Sequence, residues 1–380
     1  MLLAGTTPQL GYYPGMRTLR SLLLLLPLAT AMLAATACVC PPAGTTSPPA
    51  APAAANAANA APAAANAAPA ADRLSGGARR IPIHTPKGDF WVWTKRVGDN
   101  PTIKVLLLHG GPGMDHEYFE ALDGYFPGAG IEYYFYDQTG SKFSQPVPDD
   151  VLATFLNIGH YVDEVEQVRV ALGLDEHNFF LLGHSWGGVL AIEYALAHPE
   201  HLKGLVISNM MSSIPAYNAY ATKVLEPQMP PAVLAEILAL EKAKDYENPR
   251  YEELLMDSFY TEHILRMPFA EWPDPILRAF AALNKKVYTP MQGPSEMGAS
   301  GVLVDWDRSK DLARIQVPTL VIGAGHDTMD PAHMEWMAKQ LPHGRYLFCP
   351  AGSHLAIYDD QEVYMRGLIA FLKDVDAGRL

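Results

Sequence analysis

The chain has 380 residues, 49% of them hydrophobic and 18% charged, which is enough to bury a sizeable core. Its net charge of −13 repels phosphate backbones and excludes nucleic acid as a natural partner. Three cysteines (Cys38, Cys40 and Cys349) are too few for a disulfide framework, and no apolar run reaches the roughly 18 residues that span a membrane.

The first 72 residues read as leader and tether. Residues 22–35 form an apolar run of 14, with Arg17 and Arg20 before it and small residues after it. A basic start, a short apolar stretch and a small-residue cleavage site make a secretory signal over 1–37. Met16 is the more natural start of that signal, so 1–15 read as an over-extended beginning. Cys38 resembles the acylated cysteine of bacterial lipoproteins, although Ala35 stands where that motif usually has Leu. This predicts an exported protein of the periplasm or cell envelope, attached to a membrane through Cys38 or released by ordinary cleavage. Residues 41–70 hold 16 Ala and 7 Pro, and 38–72 are expected to be a disordered tether.

Residues 73–380 carry the fold. Residues 81–97 read as two strands around a Pro/Gly/Asp turn. Short continuous apolar runs follow at 103–108, 131–136, 178–182, 203–208, 317–322 and 345–349, as expected of strands buried on both faces. Val162, Val165 and Val168 recur at helical spacing with charged residues on the other faces, and 186–198 and 361–373 also read as helices. Alternating strands and helices predict an α/β protein with a mostly parallel sheet covered on both sides. Residues 211–304 interrupt the alternation with helical stretches at 232–245, 251–265 and 275–287. They are expected to form a helical cap inserted into a core of 73–210 and 305–380.

The chemistry lies in three segments. Gly183-His184-Ser185-Trp186-Gly187 follows a strand and opens a helix, the setting of a nucleophile elbow, so Ser185 is the candidate nucleophile. His109-Gly110-Gly111-Pro112-Gly113 follows the strand 103–108, where such a fold builds half of its oxyanion hole. Gly111 and Trp186 are the expected N–H donors. A phosphate loop is excluded, because Pro112 removes a donor and neither dinucleotide nor P-loop spacing is present. A serine needs a base, and the base an orienting acid, in the chain order Ser, acid, His. Asp327 and His354 each lie just past a strand end. Asp330 is the chief rival acid, and His109, His184 and His326 are the rival histidines.

Together HGGPG, YDQTG (136–140), GHSWGG, GPSE (293–296), DWD (305–307) and GSH (352–354) resemble, in order, the proline iminopeptidase family, which includes the tricorn-interacting aminopeptidase. The resemblance covers roughly 80–380. It implies the α/β-hydrolase fold, the triad Ser185, Asp327 and His354, and release of an N-terminal residue, often proline, from short peptides with a free amine. It also implies that Glu296 holds the substrate ammonium. Two positions depart from the family: Thr328 stands where some relatives have an amine-reading Glu, and Lys142 replaces a glycine. The same triad also suits an amino-acid amidase or esterase, and the fold alone a non-catalytic binding protein. No metal or organic cofactor is expected, since neither H-x-x-x-H nor C-x-x-C occurs.

Overall fold

The computed structural model describes residues 75–380. The leader, the tether and Cys38 lie outside the described residues. Eight strands form one sheet: β1 (Ala78–Thr85), β2 (Gly88–Val97), β3 (Lys104–Leu108), β4 (Glu132–Asp137), β5 (Phe179–His184), β6 (Gly204–Ser208), β7 (Thr319–Ala324) and β8 (Gly344–Cys349). Their spatial order is β1-β2-β4-β3-β5-β6-β7-β8. The hairpin β1–β2 joins β4 in antiparallel fashion, and β3 to β8 run parallel. The strand order reverses direction around β3 and β5, so their carboxyl ends open the crevice in which parallel sheets bind ligands.

The apolar runs sort by alternation. Leu106, Leu108, Leu181, Leu205, Ile207 and Val321 face one layer, with the helices Ile158–Leu172, Trp186–Ala197 and Pro331–Gln340 packed on them. Val105, Leu107, Phe180, Leu182, Val206, Leu320 and Ile322 face the other, against Phe119, Phe126 and the helix Gln361–Asp376. Both faces are covered by apolar side chains, which is why these strands lack polar alternation. Cys349 ends β8 as a buried thiol.

Between β6 and β7 the described residues hold only helices and turns. Leu225, Met229, Ile237, Tyr251, Leu254, Leu255 and Phe259 form a small core of their own there. Entry and exit of this insertion lie side by side: Ser213 and Asp307 form a bridge, the Ile214 N–H donates to the Trp306 carbonyl (2.9 Å), and the Arg308 N–H to the Ser212 carbonyl (2.8 Å). The Trp306 indole and the Arg308 guanidinium both bind Glu193 on the core, at 2.6 and 2.7 Å, which gives the DWD motif its place.

Two expected helices of the insertion are broken. The stretch 251–265 splits into Pro249–Leu255, a π-helical turn at Met256–Tyr260 and one short turn. The stretch 275–287 splits into Asp274–Ala281 and Lys285–Met291, because Asn284 leaves the helix to cap the next one through the Lys286 N–H (3.1 Å). Asn284 also donates to the Gly113 carbonyl (backbone, 2.9 Å) and the Gly140 carbonyl (side chain, 2.8 Å), tying the insertion to both loops beside the sheet edge.

The elbow is the tightest packing in the core. A Cβ on Gly187 would lie 2.0 Å from the Leu108 carbonyl oxygen, and one on Gly183 1.9 Å from the Gly187 carbonyl oxygen. Backbone cannot yield as a side-chain tip does. Gly187→Ala is therefore expected to lose more than about 3 kcal/mol, beyond the usual range for overpacking. Gly124→Ala, at an exposed site with no atom within 4 Å, should stay within about 0.5 kcal/mol. Urea unfolding of the two variants makes the comparison.

Candidate active site

Ser185 sits between β5 and the helix Trp186–Ala197 with φ 56° and ψ −126°, a strained backbone for a residue with a Cβ. It occupies the N-cap position, where serine normally turns back to cap, yet its hydroxyl makes no capping bond. The side chain is left free at the positive end of the helix dipole. Strain at one residue and close glycine packing on both sides have a common result: the hydroxyl is lifted off the sheet edge.

Asp327 follows β7 and His354 follows β8. Both are buried, and the His354 Nδ1–H donates to Asp327 Oδ1 at 2.8 Å. A carboxylate oxygen accepts, so this contact places the proton on Nδ1 and leaves the Nε2 lone pair free. Asp327 Oδ1 also accepts from the Met329 N–H (3.0 Å), and Oδ2 from the Asn209 amide (2.7 Å). Asn209, just past β6 in the left-handed region (φ 51°), was invisible as a functional residue, since nothing in its sequence neighbourhood points to a distant carboxylate. Thr328, in the place of the amine-reading Glu, turns its hydroxyl to Asp327 Oδ1 and His354 Nδ1, both at 3.3 Å. Asp330 caps the next helix through the Ala332 N–H (2.9 Å), which removes it as the rival acid. Burial disfavours the imidazolium of His354, but Asp327 and then Glu296 outweigh it, and the pKa is raised above 6.5.

The ring centroid of His184, the residue before Ser185, lies 4.9 Å from that of His354. No hydrogen bond joins the Ser185 hydroxyl to His354 among the described residues, and in unliganded sites such bonds are often long. The His184 Nε2–H donates to the His354 carbonyl (2.8 Å), and its Nδ1 accepts from the Tyr118 hydroxyl (3.1 Å). That hydroxyl accepts from the Gly110 N–H (2.7 Å). Burial pushes the His184 pKa down to about 3, so the ring stays neutral and this relay keeps one direction.

With the Gly110 N–H occupied, the Gly111 and Trp186 N–H groups remain, and neither carries a backbone hydrogen bond among the described residues. Gly111 has φ 108°, and a Cβ there would lie 2.7 Å from the Met114 nitrogen, so only glycine fits. The YDQTG segment braces both donors. The Gln138 amide donates to the His109 carbonyl (3.1 Å), while its oxygen accepts from the Trp186 indole (2.8 Å). The Gln138 N–H donates to His109 Nε2 (3.1 Å), so His109 is a brace rather than a base. Lys142, the other departure, pairs with Glu117 at 2.9 Å, away from these donors.

A small pocket opens at Ser185, lined by Trp186, Val189, Met210, Ile214, Tyr217, Leu303 and Met329, with Gln292 and Glu296 beside them. Glu296 is its only carboxylate. Burial raises the Glu296 pKa, while His354 and the Tyr288 hydroxyl, which donates to it at 2.6 Å, oppose the rise. Elsewhere, Glu166, His198 and His201 place ligand atoms within 4.8 Å of one another. The Glu166 carboxylate is already held by Arg169 (2.6 and 2.8 Å) and Tyr194 (2.7 Å), so a cation would have to displace a bidentate guanidinium.

Removing the Asn209 amide leaves one side of a buried carboxylate unpaired. Asn209→Ala is expected to cost about 1–3 kcal/mol of stability, read by urea unfolding.

A family model described as alpha/beta hydrolase fold matches residues 104–361. The chain is 52% identical to a proline iminopeptidase of Chitinophaga pinensis and 55% identical to one of Flavobacterium johnsoniae, each over 296 residues that cover 78% of this chain and 98% of the relative. Among solved structures, the proline iminopeptidase of Mycobacterium smegmatis has a TM-score of 0.68 at 28% identity, covering 79% of this chain and 99% of that one. VinJ has a TM-score of 0.71 at 29% identity, covering 78% and 98%. The nucleophile elbow, the glycine loop and the ordered strand-end residues thus belong to an α/β-hydrolase, and the chain is a member of the proline iminopeptidase family.

Proposed function

We propose that this chain is a serine aminopeptidase that releases an N-terminal residue, preferentially proline, from short peptides. The observation that carries the reading is one buried carboxylate, Glu296, among mostly apolar side chains in the small pocket that also contains Ser185. An apolar wall suits a pyrrolidine ring, and a desolvated carboxylate suits the ammonium of a free N-terminus. The relatives' name agrees with this pairing.

In the proposed reaction, Ser185 attacks the carbonyl of the first residue while His354 Nε2 takes the hydroxyl proton. Asp327 holds the imidazolium that forms. The Gly111 and Trp186 N–H groups bind the oxyanion, each contributing on the order of 3 kcal/mol in comparable hydrolases. His354 then gives its proton to the leaving amine, and water hydrolyses the ester on Ser185 through the same steps in reverse.

The test is hydrolysis of proline arylamide. Ser185→Ala should lower kcat by about 10⁴-fold or more; an equally fast variant would sink the assignment. Glu296→Gln should raise KM for the free-amine substrate roughly 10- to 100-fold, the worth of a charge-assisted bond, and leave KM for an N-acetylated ester unchanged. Indifference of the wild-type enzyme to the acetyl group would favour the amidase or esterase reading instead.

The pH profile follows from the same charges. Activity needs neutral His354, and its folded pKa is raised, so kcat/KM should fall on the acid side with a midpoint above 6.5. Glu296→Gln removes an anion that favours the imidazolium, so the midpoint should move down. A profile unchanged in that variant would contradict the coupling.

We further propose that the chain is exported and held at the cell envelope through Cys38. The basic and apolar order of residues 17–35 and the Ala/Pro-rich stretch after it support this. Mass spectrometry of the natural N-terminus should find it beginning at an acylated Cys38. A chain retaining residues 16–37 would overturn export.

A further inference from the structure

The loop that carries His354 is fastened to the helical insertion as well as to the sheet. The His354 N–H donates to the His263 carbonyl (2.9 Å), and the Leu355 N–H to the Ile264 carbonyl (2.8 Å). The His263 Nδ1–H donates to the His326 carbonyl (3.0 Å), next to Asp327. One short segment of the insertion, 263–266, therefore grips both the acid loop and the base loop. Since His184 binds the His354 carbonyl, the backbone of His354 is held from the elbow on one side and from the insertion on the other.

Asp359 closes this arrangement. It ends the short helix Ala356–Asp359, and its carboxylate is shared between the two partners. Oδ1 accepts from the Ser353 N–H (3.0 Å), and Oδ2 from the Arg266 N–H (3.0 Å). The Ser353 hydroxyl lies within donor reach of Asp359 Oδ2 and of the Ile264 carbonyl (2.8 Å). Two backbone N–H groups, one on each side of the seam, thus converge on one side chain. Neither neighbour can replace it: Asp360 Oδ2 is engaged by the Ala351 N–H (3.0 Å), and the Tyr358 hydroxyl is buried without a partner.

We propose that Asp359 is a positioning residue for the reaction: it clamps segment 263–266 of the insertion to Ser353 and so sets where the His354 imidazole stands relative to Ser185. This rests on the serine-hydrolase reading of the site. It adds that the insertion orients the base in addition to covering the cavity. A displacement of about 1 Å at a reacting group costs on the order of 100-fold in rate, so a clamp at the adjacent residue has leverage on kcat.

The test compares the full enzyme with Asp359→Asn, which keeps the shape but leaves one acceptor oxygen where two are used, and with Ser353→Ala, which removes the hydroxyl alone. Asp359→Asn should lower kcat on proline arylamide roughly tenfold or more with KM within about twofold. It should slow fluorophosphonate labelling of Ser185 by a similar factor and shift the His354 Nδ1 proton resonance. Ser353→Ala should move all three in the same direction by less, and it decides the matter if the Asp359 variant does not fold. The proposal is overturned if the folded variants keep the wild-type labelling rate and His354 resonance and lose only melting temperature. A wild-type enzyme that is labelled but inert to prolyl substrates would defeat the substrate assignment and leave this comparison standing.

Discussion

Everything in this site depends on how closely the helix after β5 approaches the backbone of β3. Two glycines, Gly183 and Gly187, allow carbonyl contacts that no Cβ could share. With the helix seated that low, the residue between them has no relaxed conformation, and Ser185 takes φ 56°. The strain at Ser185 is maintained by burial on both layers of the sheet, and it is what frees the hydroxyl from its capping role. The placement of the Ser185 hydroxyl is thus a property of core packing.

The same economy of space governs the polar groups. Of the histidines buried at the carboxyl edge of the sheet, His109, His184 and His354 each have a distinct set of partners. His109 braces the glycine loop through Gln138, His184 links Tyr118 to the His354 backbone, and His354 faces Asp327. Burial lowers the pKa of His184, whereas Asp327 and Glu296 raise that of His354 against the same burial. Two adjacent imidazoles are driven apart by their neighbours, so one stays neutral while the other holds its proton more tightly. The insertion contributes Glu296 to the cavity and a backbone seam to the base loop, so it takes part in the electrostatics as well as in shielding.

Strands β3 to β7 were legible because parallel strands buried on both faces show as short continuous apolar runs, whereas β8, read the same way, is the edge strand and is only partly buried. The strand-end positions of Ser185, Asp327 and His354 were legible because each follows an apolar strand run, in the chain order Ser, acid, His. What escaped were contacts made only in three dimensions. Asn209 follows an ordinary strand, and Tyr118 lies in the 3-10 helix Glu117–Gly124. Asp359 sits in a four-residue helix whose local sequence carries no motif. The helix breaks near 256–260 and at 282–284 also escaped, because apolar spacing continues through them. They are set by Asn284 and by packing against the loops of the core, where tertiary contacts override local periodicity. The two departures from the family pattern resolve locally: Thr328 supports the acid–base pair, and Lys142 meets Glu117.

The central claim is that the acyl group of the first residue passes through Ser185. Rapid quenching of the enzyme with a prolyl ester, followed by mass spectrometry of the peptide that contains residue 185, tests it most directly. The account predicts a single prolyl group esterified on Ser185 that forms and decays at the rate of turnover. Steady turnover with no adduct on that peptide, or with the adduct on another residue, would contradict it.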